Sequence, residues 1–357
     1  MCAGGRRDMS ELRMTRRRAL LSAGALAAAA CAPGAVTPSP AASGSAASTL
    51  GPVSKFNYLF GFTLQANPTF PVITAKEMGY YKQQNIDIAW DFQTLSTAVR
   101  LIGTNQYHAG STDPQTLSTF VDEGVPLVAV AQMSQTSVRA FAVRKGEGIK
   151  RPKDFEGKKV GIKTAPWPDY LAILAFDKAD RSKITEIPVG FSAVELKEKI
   201  IDVLPIFLGN EPFILTKTLG QEIEIIYPKD FGYAAVGTPI IANKDYVKNN
   251  RAAYVRFLRA TMKGQEYMID HRDETIRMAI QYGGTATTAA AHEFIYDVSK
   301  PTMTHPNGVG WVDLDQWQKN LDTLTDLKVL PRKVDAKTLV DDTMIKEILK
   351  DGKVIWP

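Results

Sequence analysis

From residue 56 onward, short apolar runs alternate with longer stretches whose apolar positions recur every three or four residues. Phe56 to Phe62 (FNYLFGF) predicts a strand, and Pro71 to Gln84 a helix with proline in its first turn. Strands follow at Ile86 to Phe92, Tyr107 to Thr112 and Pro126 to Gln132, separated by helices at Thr94 to Gly103 and Pro114 to Glu123. The rhythm changes at Arg139 to Lys145 (RAFAVRK), a strand leading into the Gly- and Lys-rich segment 146–159. A second alternating block then runs through strands at Lys159 to Lys163, Ile184 to Phe191, Val203 to Phe207 and Glu222 to Tyr227. Its helices are expected at Asp169 to Lys178, Ser192 to Ile201 and Pro212 to Leu219. Tyr233 to Ala242 reads as a returning strand, and the remainder is mainly helical, notably Asp245 to Asp270 and Asp273 to Tyr282. Alternation of this kind predicts an α/β protein with helices on the faces of its sheets. Two blocks joined by two crossing strands predict two lobes that hinge: lobe 1 from 53–143 and 235–357, lobe 2 inserted at 144–234.

The first 52 residues break this pattern. Arg13, Arg16, Arg17 and Arg18 precede an apolar stretch from Ala19 to Ala30 that stops at Cys31. As a helix that stretch reaches only about 18 Å, short of a bilayer core of roughly 30 Å, so it is expected to be a removable export signal. Ala28-Ala29-Ala30-Cys31 resembles a lipobox with Cys31 as the acylated residue, and Arg16-Arg17 resembles a twin-arginine signal. Residues 32–52, almost wholly Ala, Pro, Ser, Gly and Thr, have the composition of a flexible tether. The expected location is therefore outside the cytoplasm, anchored to the membrane by lipid.

Charge and cysteine usage narrow the chemistry. Residues 1–30 hold six arginines against Asp8 and Glu11, so most of the formal +5 belongs to the leader and no nucleic-acid footprint is left on the body. The only cysteines are Cys2 and Cys31, which leaves no disulfide, thiol nucleophile or thiolate metal site for the body. None of His108, His271, His292 and His305 stands at metal-ligand spacing, and His292-Glu293 reads as a surface pair. No nucleophile elbow, Walker loop or dinucleotide fingerprint occurs. No metal, cofactor or catalytic residue is expected.

The order of segments then carries a resemblance. "PVITAKEMGYYKQQNIDIAW", "YHAGSTDPQTLSTFVDEGVPLVAVAQ", "IKRPKDFEGKKVGI" and "IIDVLPIFLGNEP" occur in turn. Together they resemble the periplasmic binding proteins of the thiamine-precursor, riboflavin, nitrate and alkanesulfonate cluster, whose pyrimidine branch shares its fold with the yeast-type pyrimidine synthase. The resemblance implies a two-lobed clamshell of the type II class, with mixed sheets and two hinge strands. It also implies a small-molecule ligand in the cleft, an ABC-importer permease as partner, and a monomer. The cysteine-rich iron site of the synthase is missing, which argues against the enzyme alternative. The fold also serves receptors that report to a membrane sensor.

Ligands of open α/β sheets bind at the carboxyl ends of strands. On that basis the candidates are Phe62, Gln65 and Asn67 after the first strand, Asp113 after the third, and Trp167 and Tyr170 in KTAPWPDY. Asn210 and Glu211 follow the strand at 203–207, and Tyr233 opens the returning strand. Each has a plainer reading. Asp113 and Glu211 stand at helix starts, where a carboxylate complements the dipole, and the aromatic residues can serve as core. Trp90 and Trp311 are weaker candidates, being placed like core tryptophans. Aromatic walls with a few orienting polar groups suit a flat, vitamin-like ring, and Lys163 is the one clear anion-binding candidate in these loops. The expected ligand is heteroaromatic, riboflavin ahead of the thiamine pyrimidine because the first loop lacks the Trp and His common in pyrimidine binders. A small anion such as an alkanesulfonate or nitrate is the alternative.

Overall fold

In the computed structural model, residues 50–61, 69–163, 165–233, 235–283 and 288–357 are described. The export signal, Cys31, nearly all of the tether, and the candidates Phe62, Gln65 and Asn67 lie outside these residues.

Two five-stranded sheets organise the molecule. The first contains β1 (Ser54–Phe60), β2 (Ile86–Phe92), β3 (Ala109–Ser111), β4 (Leu127–Gln132) and β10 (Pro239–Asn243), in the order β2-β1-β3-β10-β4. The second contains β5 (Arg139–Arg144), β6 (Lys159–Ile162), β7 (Thr185–Pro188), β8 (Val203–Phe207) and β9 (Ile223–Ile226), in the order β7-β6-β8-β5-β9. β1, β2 and β3 pair in parallel while β10 runs antiparallel to β3 and β4. The second sheet repeats the plan: β6 is parallel to β7 and β8, and β5 is antiparallel to β8 and β9. Each lobe is thus a mixed sheet whose single reversed strand is the one reached by crossing from the other lobe.

Helices cover both faces, which is why the central strands are apolar throughout. β4 (LVAVAQ) is buried at all six positions, whereas the edge strand β2 alternates Ile86 and Ile88 inward with Asp87 outward. On one face of the first sheet lie α1 (Thr69–Glu77), α2 (Tyr80–Gln83) and the long α9 (Arg251–Asp270), where the Phe56 and Phe257 rings stack at 4.0 Å. The other face holds α3 (Leu95–Gly103), α4 (Pro114–Asp122) and α12 (Leu314–Asp326), around fully buried Leu59, Ile102, Leu117 and Leu321.

Several expected elements are shorter than their apolar pattern. The helix expected at 71–84 breaks at Gly79, whose φ of 71° is left-handed, so α2 is separate from α1. The helix expected at 192–201 keeps only α6 (Val194–Lys197), with Ala193 and Lys199 also left-handed at its two ends. The returning strand expected over 233–242 is β10 alone, preceded by a single bridge between Thr136 and Val236. β5 pairs only within the second sheet, so the chain leaves the first sheet after Gln132 rather than near residue 143.

The two crossings, 133–138 and 227–238, lie against each other. Met133 N–H donates to Thr238 O at 2.8 Å, Ser137 N–H to Ala235 O at 3.1 Å, and Thr238 N–H to Ser134 Oγ at 2.9 Å. Gly237 is required here, since a Cβ would sit 2.1 Å from Ser134 O.

Candidate functional site

A cavity of about 480 Å³ opens between the two sheets. Its walls come from the carboxyl ends of strands in both lobes: Thr112 and Asp113 after β3, Pro168 and Asp169 beyond β6, and Phe207, Gly209 and Asn210 at the end of β8. The crossings add Ser137, Tyr233 and Thr238, the start of β5 adds Arg139, and Phe191, Asn320 and Leu324 also line the cavity. This is where an α/β sheet exposes the free backbone groups and helix N-termini that ligands use.

The charged groups form one connected set. Arg139, at the start of β5, reaches Asp113 in the first lobe and Asp169 in the second, each at 3.4 Å. Asp113 also caps α4, its Oδ1 accepting from Thr116 N–H and its Oδ2 from the Thr116 hydroxyl, both at 2.9 Å. The helix-start reading of Asp113 and its position on the cavity wall are therefore both present in the structure. Asp169 is buried in the first turn of α5 (Pro168–Phe176), and its Oδ1 has no hydrogen-bond partner among the described residues. Burial pushes its carboxyl pKa above the ordinary value, against the pull of Arg139. Burial also disfavours the Arg139 cation, but Asp113 and Asp169 more than offset this and leave its pKa raised. Tyr233, whose hydroxyl accepts from Asn320 Nδ2 at 3.0 Å, is held neutral by burial above its ordinary range. One guanidinium between two carboxylates gives the wall no spare positive charge when all three are ionised.

Of the candidates read from the sequence, Asp113, Asn210 and Tyr233 line the cavity. Tyr170 and Glu211 are buried behind the wall, and the half-buried Trp167 is not among its described residues. The Trp167 ring packs against Phe207 at 5.0 Å between centroids, with the Arg139 guanidinium 5.3 Å from its centre. Tyr170 is buried beside Phe141 in the core of the second lobe. Glu211 is 0% exposed, pairs with Lys163, and accepts from Phe207 N–H at 2.8 Å. Lys163, the expected anion-binding cation, is thus already paired beneath Phe191, Phe207 and Trp167, the nearest ring centre being Phe191 at 4.6 Å. Burial pulls its ammonium pKa down, with Glu211 opposing. Together Lys163 and Glu211 tie the loop after β6 to the end of β8 and so set the position of Phe207. Trp90, under Lys76 at 4.3 Å, and Trp311, stacked near His305, pack against the core of the first lobe away from the cavity.

Arg139, Asp169, Phe191, Phe207 and Asn320 were not singled out from the sequence. The available signal was positional: Arg139 opens the strand where the rhythm changes, and Phe207 ends a strand directly before the singled-out Asn210. Asn320 comes from a helix more than a hundred residues later, and nothing local marks it. His292 is buried rather than on the surface, its Nδ1 3.1 Å from Thr288 O and its ring near Phe70. No group of three or more His, Cys, Asp or Glu poised for a metal occurs among the described residues, and none of their helices is long and apolar enough to cross a membrane.

The NMT1/THI5-like family profile matches residues 67–275, more than half of the sequence and most of both sheets. The chain belongs to this family. It is 24% identical over 267 residues to a formylaminopyrimidine-binding protein of Halalkalibacterium halodurans, which covers 69% of this chain and 77% of that one. Among solved structures it is similar to the periplasmic aliphatic sulphonate binding protein SsuA of Escherichia coli, with a TM-score of 0.66 at 16% identity over 82% of this chain and 93% of that one. The desulfurization enzyme DSZB shares the fold at a TM-score of 0.56 and 14% identity, over 82% of this chain and 98% of that one. The two-lobed periplasmic-binding-protein fold expected from the sequence is the fold observed. Relatives of that fold include binders and an enzyme, so function has to be argued from the cavity.

Proposed function

We propose that this protein is an extracytoplasmic solute-binding protein that delivers a neutral or cationic heteroaromatic molecule to an ABC importer. The observation that carries the reading is the cavity between the lobes, in which an apolar wall including Phe207 and Phe191 meets the Asp113–Arg139–Asp169 set. A cation free to pair with it would favour an inorganic or sulfonate anion. Arg139 is shared by two carboxylates and Lys163 is held by Glu211, so a ring bearing amino or amide donors fits better than an anion. The similarity to a formylaminopyrimidine-binding protein favours an aminopyrimidine, and the cavity volume also accommodates a larger ring such as riboflavin. Reading it as a binder rather than a catalyst rests on the same wall, which among its described residues presents no Ser or Cys hydroxyl or thiol next to a His.

Calorimetric titration of stripped protein with aminopyrimidines, riboflavin, taurine and nitrate tests this reading. Binding of an aromatic member with loss of affinity in Phe207→Ala is expected. Tight taurine or nitrate binding that ignores Phe207→Ala would overturn it. Lipid anchoring through Cys31 belongs to the same proposal and rests on the lipobox-like Ala28-Ala29-Ala30-Cys31. Cys31→Ser should shift the protein from the membrane fraction to the soluble one, and unchanged fractionation and mature start would count against it.

A further inference from the structure

A second cavity, of about 300 Å³, lies beside the first. The two share Ser137, Arg139, Asp169, Tyr233 and Ala235 as wall residues, so what divides them is a thin partition and not a layer of packed core. The part of that partition best able to move is the Arg139 side chain. Both of its ion pairs are 3.4 Å long, at the loose end of hydrogen-bond geometry, and a ligand group that passes Arg139 must replace its contact to the buried Asp169. The far side of the second cavity mixes apolar Leu208 and Val298 with the Thr136 hydroxyl, the Tyr227 phenol and the Lys229 amine. Those polar groups offer partners to a short chain carrying hydroxyl or amide groups, which the Tyr227 and Phe294 rings would flank.

We infer that the two cavities form one bipartite site, in which the ligand's ring occupies the larger cavity and a polar substituent passes Arg139 into the smaller. This rests on the proposed function and narrows its substrate class to a flat ring with an extended, hydrogen-bonding side chain. Neither Val298 nor Leu208 lines the larger cavity, so Val298→Phe and Leu208→Trp fill the smaller one alone. Both positions are partly exposed, and thermal melting of each variant reports whether the fold is kept.

The test is calorimetry with two matched pairs: riboflavin against lumichrome, which has the ring system without the ribityl chain, and formylaminomethyl-pyrimidine against the unformylated amine. The parent should bind the extended member of at least one pair at least tenfold more tightly than its shorter partner. In folded Val298→Phe or Leu208→Trp that preference should disappear, with the shorter ligand unchanged within about twofold. Equal binding of long and short members by the parent, or a preference that survives in both folded variants, would overturn the bipartite site and leave the larger-cavity reading intact. Binding of none of the four would overturn both.

Discussion

Replacing Glu211 separates a ligand-contacting carboxylate from one that holds the site together. Its side chain is fully buried, pairs with Lys163 and accepts the Phe207 N–H. Truncation to alanine strands a lysine whose side chain is 1% exposed and removes the acceptor for a backbone donor. Breaking a buried ion pair by removing one partner costs about 3–5 kcal/mol, and an orphaned buried donor about 1–3 kcal/mol more. Some relaxation is shared between these losses, so Glu211→Ala should lose about 4–6 kcal/mol, a large part of the roughly 5–15 kcal/mol typical of a folded protein. Replacing both members by apolar groups removes the stranded charge. Lys163→Met combined with Glu211→Leu should therefore recover all but about 1–3 kcal/mol, the remainder being the Phe207 N–H. Urea unfolding followed by circular dichroism provides the stability cycle, with titration of a bound ligand on whichever variants remain folded. The scaffold role predicts that the double variant keeps ligand affinity within about tenfold. A double variant no more stable than Glu211→Ala, or Glu211→Ala as stable as the parent, would refute the reasoning.

Two further outcomes follow from the packing of the crossing and from an ion pair in the second lobe. Gly237→Ala should destabilise the crossing and loosen closure, because its Cβ would lie 2.1 Å from Ser134 O; a melting temperature and ligand-dependent scattering curve equal to the parent's would contradict this. Glu147 has its carboxyl pKa held below the ordinary value, first by the hydrogen bond from Arg144, whose own contacts extend to Asp202 and to the Leu196 and Ile201 carbonyls. A folded pKa below the unfolded one means that the unfolded chain takes up the proton first as pH falls. The stabilisation is thus present above the ordinary glutamate range and lost on acidification through the lowered folded value. Stability measured from pH 7 down to pH 3 should fall less steeply for Glu147→Gln than for the parent, and parallel curves would remove Glu147 from the acid response.

Much of the architecture was legible because local pattern and global role agree. The LVAVAQ of β4, apolar up to Gln132, has the pattern of a strand covered on both faces, and Asp113-Pro114 marks the start of α4 as the sequence suggests. Where the reading stopped short, the deciding contact was distant in sequence. Lys163 and Glu211 are 48 residues apart, and nothing near either tells that each consumes the other's charge. Asp113, Asn210 and Tyr233 reach the cavity because strand ends and crossings face the cleft, a rule that sequence alone can apply. Trp167 satisfies the same rule, yet its ring packs against Phe207 and near Arg139, contacts that nothing in its own loop announces. RAFAVRK has a strand's pattern whichever sheet it joins, so the sequence does not tell that β5 pairs in the second sheet.

The shared strand order of the two sheets gives the molecule interchangeable jaws. Each lobe offers the ends of its own strands to one ligand, and no strand belongs to both sheets. A change in the loop after β8 therefore redraws one side of the grip while the turn after β3 keeps its shape, its cap on α4 being made within its own lobe. Recognition in such a protein can be retuned one side at a time, with the cores left undisturbed.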